Sequence, residues 1–242
     1  MKLKRTLSAL ADIVFPPRCF TCSEIVDHQR NSPFCTDCFS KIHFIWSPLC
    51  PCCGTPFAGA DGGDHLCGDC ITIKSVFSVA RAVGRYETIL LEAIHRFKYN
   101  GKIYIGEILG RLMAEYAYPL FNISNNSSIV PVPLHPKKLR ERGFNQSLIL
   151  AREISKKFTI PLDFMTLRRY VNTEPQISLG KKERESNVHG AFSVIDAEKI
   201  KGQRIILVDD VFTSGSTVKE CARMLMKNKA AAIAVITLTR AV

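Results

Sequence analysis

The sequence predicts an α/β fold: a parallel sheet flanked by helices, preceded by a small cysteine-rich module. Three observations carry this. Nine of the ten cysteines fall before residue 71, so the chain changes character near residues 71–77. Beyond that point, continuous apolar runs such as Ile205–Val208 and Ala231–Leu238 read as strands buried on both faces. Amphipathic stretches alternate with them, as the helices of a layered α/β domain do.

Taken in order, Leu3, Leu7, Leu10 and Val14 line one face of a short N-terminal helix, which Pro16 and Pro17 end. Val76–Tyr86 reads as extended. Thr88–Tyr99 and Ile103–Tyr118 read as helices. Ile129–Leu134 is a short strand with prolines at its end, and Asn122–Ser128 before it is a polar loop. Asn145–Phe158 reads as a helix and Leu162–Leu167 as a strand. Arg204–Asp209 is a strong strand. Thr217–Asn228 is a helix with Val218, Cys221, Ala222 and Leu225 on one face, and Ala231–Leu238 is another buried strand. This divides the chain into residues 1–75, a helix and a metal-binding module, and residues 76–242, an α/β domain.

The chain has 242 residues, 46% of them hydrophobic and 23% charged, which excludes a disordered or collagenous protein. No apolar run approaches the ~18 residues of a membrane span. The net charge is +11. Residues 1–75 hold seven basic and seven acidic side chains, so the whole excess lies in residues 76–242. Residues 137–169 concentrate it, with nine basic and three acidic side chains. A phosphorylated ligand or a polyanion would therefore meet the second domain, although a soluble basic surface accounts for charge alone equally well.

Eight of the nine early cysteines form four C-x-x-C pairs: Cys19/Cys22, Cys35/Cys38, Cys50/Cys53 and Cys67/Cys70. A tetrahedral zinc needs four thiolates at ~2.3 Å, and two C-x-x-C turns a hairpin apart supply them. Two such sets predict zinc ribbons holding one or two structural Zn²⁺ ions. Disulfides would need an oxidising compartment. The basic start and the apolar stretch Thr6–Phe15 resemble an export signal only faintly, because Asp12 interrupts the run and no small-residue cleavage site follows. The cysteines are therefore read as metal ligands in a cytoplasmic protein. Cys52 is left over, as a bystander or as a substitute for Cys50. In a module with few large apolar groups, zinc replaces a core. Thiolate-bound zinc also adds negative charge, so the ribbons gain no electrostatic pull on nucleic acid.

The richest stretch is Arg204–Thr217. Four apolar residues run into Asp209 and Asp210, then a turn of hydroxyls and glycine (Thr213, Ser214, Gly215, Ser216, Thr217), then a helix. Unpaired N–H groups at a helix N-terminus make an anion site, and a glycine lets backbone approach a phosphate. The two carboxylates can accept from sugar hydroxyls, directly or through Mg²⁺. A capped helix after a buried strand, with its acids exposed at a turn, is the plainer alternative.

This string resembles the 5-phosphoribosyl 1-diphosphate (PRPP) motif of type I phosphoribosyltransferases. The resemblance implies that Asp209 and Asp210 hold the ribose and that residues 213–217 hold its 5-phosphate. Common members carry Thr-Thr-Gly-Ala-Thr where this chain has Thr-Ser-Gly-Ser-Thr, and the hydroxyls are kept. Pro131-Val-Pro-Leu-His135, Arg140-Glu-Arg-Gly-Phe-Asn-Gln146, Arg168-Arg169, Thr173, Gln176 and Arg184-Glu-Ser-Asn-Val188 join the cysteine ribbons in a wider pattern. With them the chain is similar over nearly its whole length to the ComF family (ComFC or GntX-like) of competence-associated proteins.

The resemblance implies a type I phosphoribosyltransferase-like sheet behind a double zinc ribbon. It also implies a protein that binds PRPP with Mg²⁺ and handles incoming single-stranded DNA in the cytoplasm, or at the periphery of the inner membrane, during natural transformation. A competence helicase or DNA-uptake channel components are the expected protein partners. The alternative is an active phosphoribosyltransferase of nucleotide or cofactor salvage with no DNA role. The turn at Pro133–Pro136 is the expected diphosphate loop, with His135, Lys137, Lys138, Arg140 and Arg142 as its charge partners. The polar segment 170–188, together with Arg169, is the expected lid, carrying Lys181, Lys182 and Arg184. No residue reads as a base for a nucleobase acceptor, so the acceptor stays open.

Overall fold

The computed structural model describes residues 18–26, 34–59, 62–99, 103–172 and 188–242. In chain order its elements are α1 (Thr36–Ser40), α2 (Gly68–Thr72), β1 (Val79–Arg85), α3 (Thr88–Tyr99), α4 (Ile103–Glu115), β2 (Ser128–Pro131), α5 (Pro136–Arg142), α6 (Gln146–Phe158), β3 (Leu167–Arg169), β4 (Phe192–Val194), β5 (Arg204–Phe212), α7 (Ser216–Lys227) and β6 (Ala232–Arg240). The N-terminal helix expected at Leu3–Val14 lies outside the described residues.

The two apolar runs, β5 and β6, pair in parallel from Arg204 opposite Ala232 to Phe212 opposite Arg240. β1 adds beside β6 and β2 beside β5, giving a parallel sheet in the order β1-β6-β5-β2. Alternation along the strands sends Ile206, Val208, Ile236 and Leu238 into one core with α3, α4 and α6. Ile205, Leu207, Ile233 and Val235 enter a second core with Val218, Cys221, Ala222 and Leu225 of α7. Both faces are covered, which is why these strands are apolar at every central position.

Each half of the cysteine module joins a different core. Cys19, Phe20, Phe34, Cys38 and Ile42 pack with the first, and Cys50 and Cys53 with the second. The module also closes the open side of β1: Ile45 N donates to Val83 O at 3.0 Å, Arg85 N to His43 O at 2.9 Å and Ala80 N to Cys52 O at 2.7 Å. An edge that would otherwise invite another chain is thereby occupied.

Four elements depart from the sequence reading. The extended stretch 76–86 is a strand only over Val79–Arg85, and α4 stops at Glu115 instead of Tyr118. Tyr116 and Tyr118 turn inward instead, donating to Ile45 O and, at 3.0 Å, to Met113 O. The strand expected at Leu162–Leu167 is broken: Leu162 makes one parallel bridge to Ile129. Asp163 Oδ1 then accepts the N–H groups of Met165 and Thr166 at 3.0 Å, turning the chain. Pairing resumes as the β3–β4 hairpin, which periodicity over three-residue strands is too short to reveal. Finally, β5 runs on past Asp209 to Phe212, so the two acids lie inside a strand.

Candidate functional site

The four sulfurs of Cys19, Cys22, Cys35 and Cys38 lie within 4.8 Å of one another, as do those of Cys50, Cys53, Cys67 and Cys70. Thiolates sharing one tetrahedral zinc sit about 3.8 Å apart, so both sets fit the ion. Cys52 is not one of the four; its carbonyl pairs with β1 instead. Gly54 turns the Cys50/Cys53 knuckle at φ +74°, where a Cβ would meet Ala80 O at 2.4 Å. Burial disfavours a thiolate at Cys19 and Cys50, yet backbone N–H groups of the knuckle turns overcome it and draw each down to about 6. Cys38 and Cys70 are pushed up by burial and by the neighbouring cysteines.

Asp209 and Asp210 are 8% and 4% exposed, not displayed at a turn. Ser147 Oγ, in the first turn of α6, donates to Asp209 Oδ1 at 2.8 Å. Gln146 Nε2 lies 3.5 Å from Asp210 Oδ1. Lys98, near the end of α3, makes an ion pair with Asp210 Oδ2. Burial raises Asp209, and the charge of Asp210 beside it adds to this. Burial pushes Asp210 the same way, but Lys98 outweighs it and holds that carboxyl below its usual range. The doublet is thus a split pair, one carboxylate salt-bridged and one that resists ionisation.

After β5 the chain turns through Thr213–Gly215 into α7. Gly215 sits at φ +76°, and a Cβ there would lie 2.6 Å from Phe212 Cζ, so only glycine fits. Gly215 offers no side-chain cap to α7. Ser214 Oγ and Ser216 Oγ share a hydrogen bond of 2.6 Å. Both serines line a cavity of about 360 Å³ between the second cysteine cluster and α7, alongside Glu220, Arg223 and Arg240. The acid pair does not line it.

The basic residues divide. His135 caps α5, its Nδ1 accepting from Lys137 N at 3.2 Å, while Pro136 starts the helix and Gly143 ends it. Lys137 and Arg140 are exposed on this helix. Lys138 pairs with Glu141 at 3.1 Å. Arg142 points inward: its Nη1 donates to Gln146 Oε1 at 2.6 Å, so it reaches Asp210 through one side chain. Arg169, taken with the lid, belongs to β3. Its partner in the ladder is Phe192, over whose ring the guanidinium stacks at 5.3 Å, so a strand fixes it. Lys181, Lys182 and Arg184 lie outside the described residues.

Lys98 and Ser147 were missed in the sequence. Lys98 carried a readable signal: with Leu90 and Ile94 it repeats every four residues along the buried face of α3, a place where a lysine needs a partner. Ser147 is an ordinary first-turn residue and carried none.

A parallel sheet in which β5 carries a buried acid pair and leads into a glycine turn, joined to two four-cysteine zinc sites, defines a phosphoribosyltransferase-type domain behind a double zinc ribbon. Residues 10–71 match the double zinc ribbon domain family, and residues 145–241 match the phosphoribosyl transferase domain family. Competence protein F of Haemophilus influenzae is 29% identical over 221 residues, covering 86% of this chain and 96% of that protein. DNA utilization protein YhgH of Escherichia coli K12 is 33% identical over 196 residues, covering 79% and 84%. Competence protein ComFC of Bacillus subtilis is 30% identical over 221 residues, covering 88% and 86%. The chain belongs to the ComF family.

Proposed function

We propose that this protein binds PRPP at the junction of β5 and α7 and works in the cytoplasmic handling of incoming single-stranded DNA. The observation that carries the first half is the sequence of groups at that junction: two carboxylates near the carboxyl end of β5, then a turn through Gly215, which has no side chain to cap the helix it opens. Ligands of parallel α/β sheets bind at that end of the strands. The 5-phosphate lies against residues 213–217 and the ribose diol against Asp209 and Asp210. The diphosphate, entering with Mg²⁺, meets the turn before α5 and the exposed Lys137 and Arg140. Lys98 keeps the buried acid pair from carrying two uncompensated charges before the ligand arrives.

The second half is supported by the competence and DNA-utilization relatives and by the basic excess of residues 137–169. Contacts to a phosphodiester backbone release counterions and weaken as salt rises. The match of residues 145–241 to the phosphoribosyl transferase domain favours a second reading, transfer of the phosphoribosyl group to a small acceptor without DNA.

Calorimetry with Mg²⁺ and PRPP tests the ligand. Wild type binds, and Asp209→Ala/Asp210→Ala loses at least about tenfold in affinity, on the order of 1.4 kcal/mol. Equal affinity in the double variant ends the assignment. Single-stranded DNA affinity measured against salt tests the partner: Lys137→Ala/Arg140→Ala lowers the slope by about 0.7 per lost phosphate contact. Diphosphate release on adding a nucleobase, with no DNA affinity, would move the conclusion to the second reading.

A further inference from the structure

The second cysteine cluster is joined to the 213–217 turn by a short run of contacts through Arg240, at the end of β6. Its Nη1 donates to Cys53 O at 2.8 Å and its Nη2 to Thr55 Oγ1 at 2.5 Å, with Cys53 Sγ 3.9 Å away. The same guanidinium lies over the Phe212 ring, 4.4 Å from its centroid. Phe212 in turn fills the space beneath Gly215, whose missing Cβ would collide with the ring at 2.6 Å. Three contacts therefore lead from a zinc ligand to the residue that shapes the turn.

The charges give this path a reason. Four thiolates on Zn²⁺ carry about −2. Arg240 is one of two sheet arginines held against this cluster. The other is Arg81 of β1, 3% exposed, whose Nη2 donates to Pro51 O at 3.0 Å. The first cluster has a different neighbour: Arg18 is exposed and donates to Ser23 O at 3.0 Å within its own knuckle. Loss of metal from the second site would free its four sulfurs from one another, and with them the Cys53 carbonyl and the Thr55 hydroxyl that hold Arg240 over Phe212.

We propose that Arg240 is a positioning residue that makes the shape of the 213–217 turn depend on the metal in the second four-cysteine site. The phosphate-binding consequence rests on the PRPP reading; the mechanical dependence does not.

The test uses the full zinc-loaded chain, with PRPP and Mg²⁺ affinity and amide hydrogen exchange read together. Arg240→Lys keeps the charge but loses the fork and the stacking. It should weaken PRPP about tenfold and speed exchange at residues 213–217 by a similar factor. Exchange at 205–208, in the middle of β5, should stay as in wild type, which a general loss of stability would not allow. Phe212→Leu should do the same and serves if Arg240→Lys fails to fold. Arg18→Ala, beside the first cluster, should change neither readout. Cys70→Ser should loosen 213–217 in the wild-type background and add less than about twofold in Arg240→Lys, because both changes break one path. The proposal is overturned if Arg240→Lys leaves exchange at 213–217 unchanged, or if Cys70→Ser and Arg240→Lys add independently. If wild type itself fails to bind PRPP, the PRPP reading falls and the exchange data alone decide the role of Arg240.

Discussion

Lys98 and Asp210, 112 residues apart in sequence, form a buried ion pair that fastens the end of α3 to the end of β5. Their side chains are 19% and 6% exposed, so neither charge is free to return to water. Removing one partner of such a pair strands the other. Lys98→Met should cost about 3–5 kcal/mol in denaturant unfolding at neutral pH. Lys98→Met/Asp210→Asn should recover most of that loss. Equal stability of Lys98→Met and wild type would show that the pair is solvated in solution.

The split acid pair sets a pH dependence. Asp209 is raised by burial and by Asp210 to about 7, above its unfolded value near 3.8. The folded protein therefore holds a proton that the unfolded chain has released, and stability falls as pH rises through that window. Asp210 is lowered, so its contribution is present above the unfolded value and is lost only under more acidic conditions. Asp209→Asn keeps an acceptor for Ser147 and removes the proton linkage. Its unfolding free energy should fall less than that of wild type between pH 5 and pH 8, by at least about 1 kcal/mol. Parallel pH profiles would mean that Asp209 ionises normally.

Gly215→Ala puts a Cβ into the Phe212 ring at a positive φ. The expected loss is about 1–3 kcal/mol, together with weaker PRPP binding, read by thermal melting and calorimetry. A variant that melts and binds like wild type would remove the close-approach argument for this turn.

The two zinc sites should be separable. Cys38→Ser and Cys70→Ser should each lower metal content from two ions per chain to one, measured by atomic absorption. Because Cys38 packs with the core of α3 and α4, and the second cluster with that of α7, amide exchange should rise on opposite sides of the sheet. Uniform loss of protection in both variants would count against separate anchoring.

Much of the fold is legible in the sequence. The C-x-x-C spacing identified both ligand sets, because zinc geometry tolerates few alternatives. Continuous apolar runs gave β5 and β6, and the span of α3 was read to the residue. What escaped were features settled by partners far along the chain. Asp209 and Asp210 read as the end of a strand, but pairing with Thr237 to Arg240 carries β5 past them and buries both. Lys98 went unread, because its partner Asp210 lies 112 residues further along the chain. The sequence also does not tell His135 from Arg142, both expected as diphosphate partners: one caps a helix and the other donates to Gln146. The β3–β4 hairpin joins segments too short to carry a period.

The place of β6 in the sheet also bears on how the molecule is made. β1 lies between residues 43–45 of the cysteine module and β6, whose register begins at Ala234 opposite Val79. During synthesis, more than 150 residues leave the ribosome before that neighbour exists. Until then only the metal-stapled module is at hand to guard the newborn strand from other nascent chains. Zinc supply during translation would accordingly govern how much protein matures instead of aggregating.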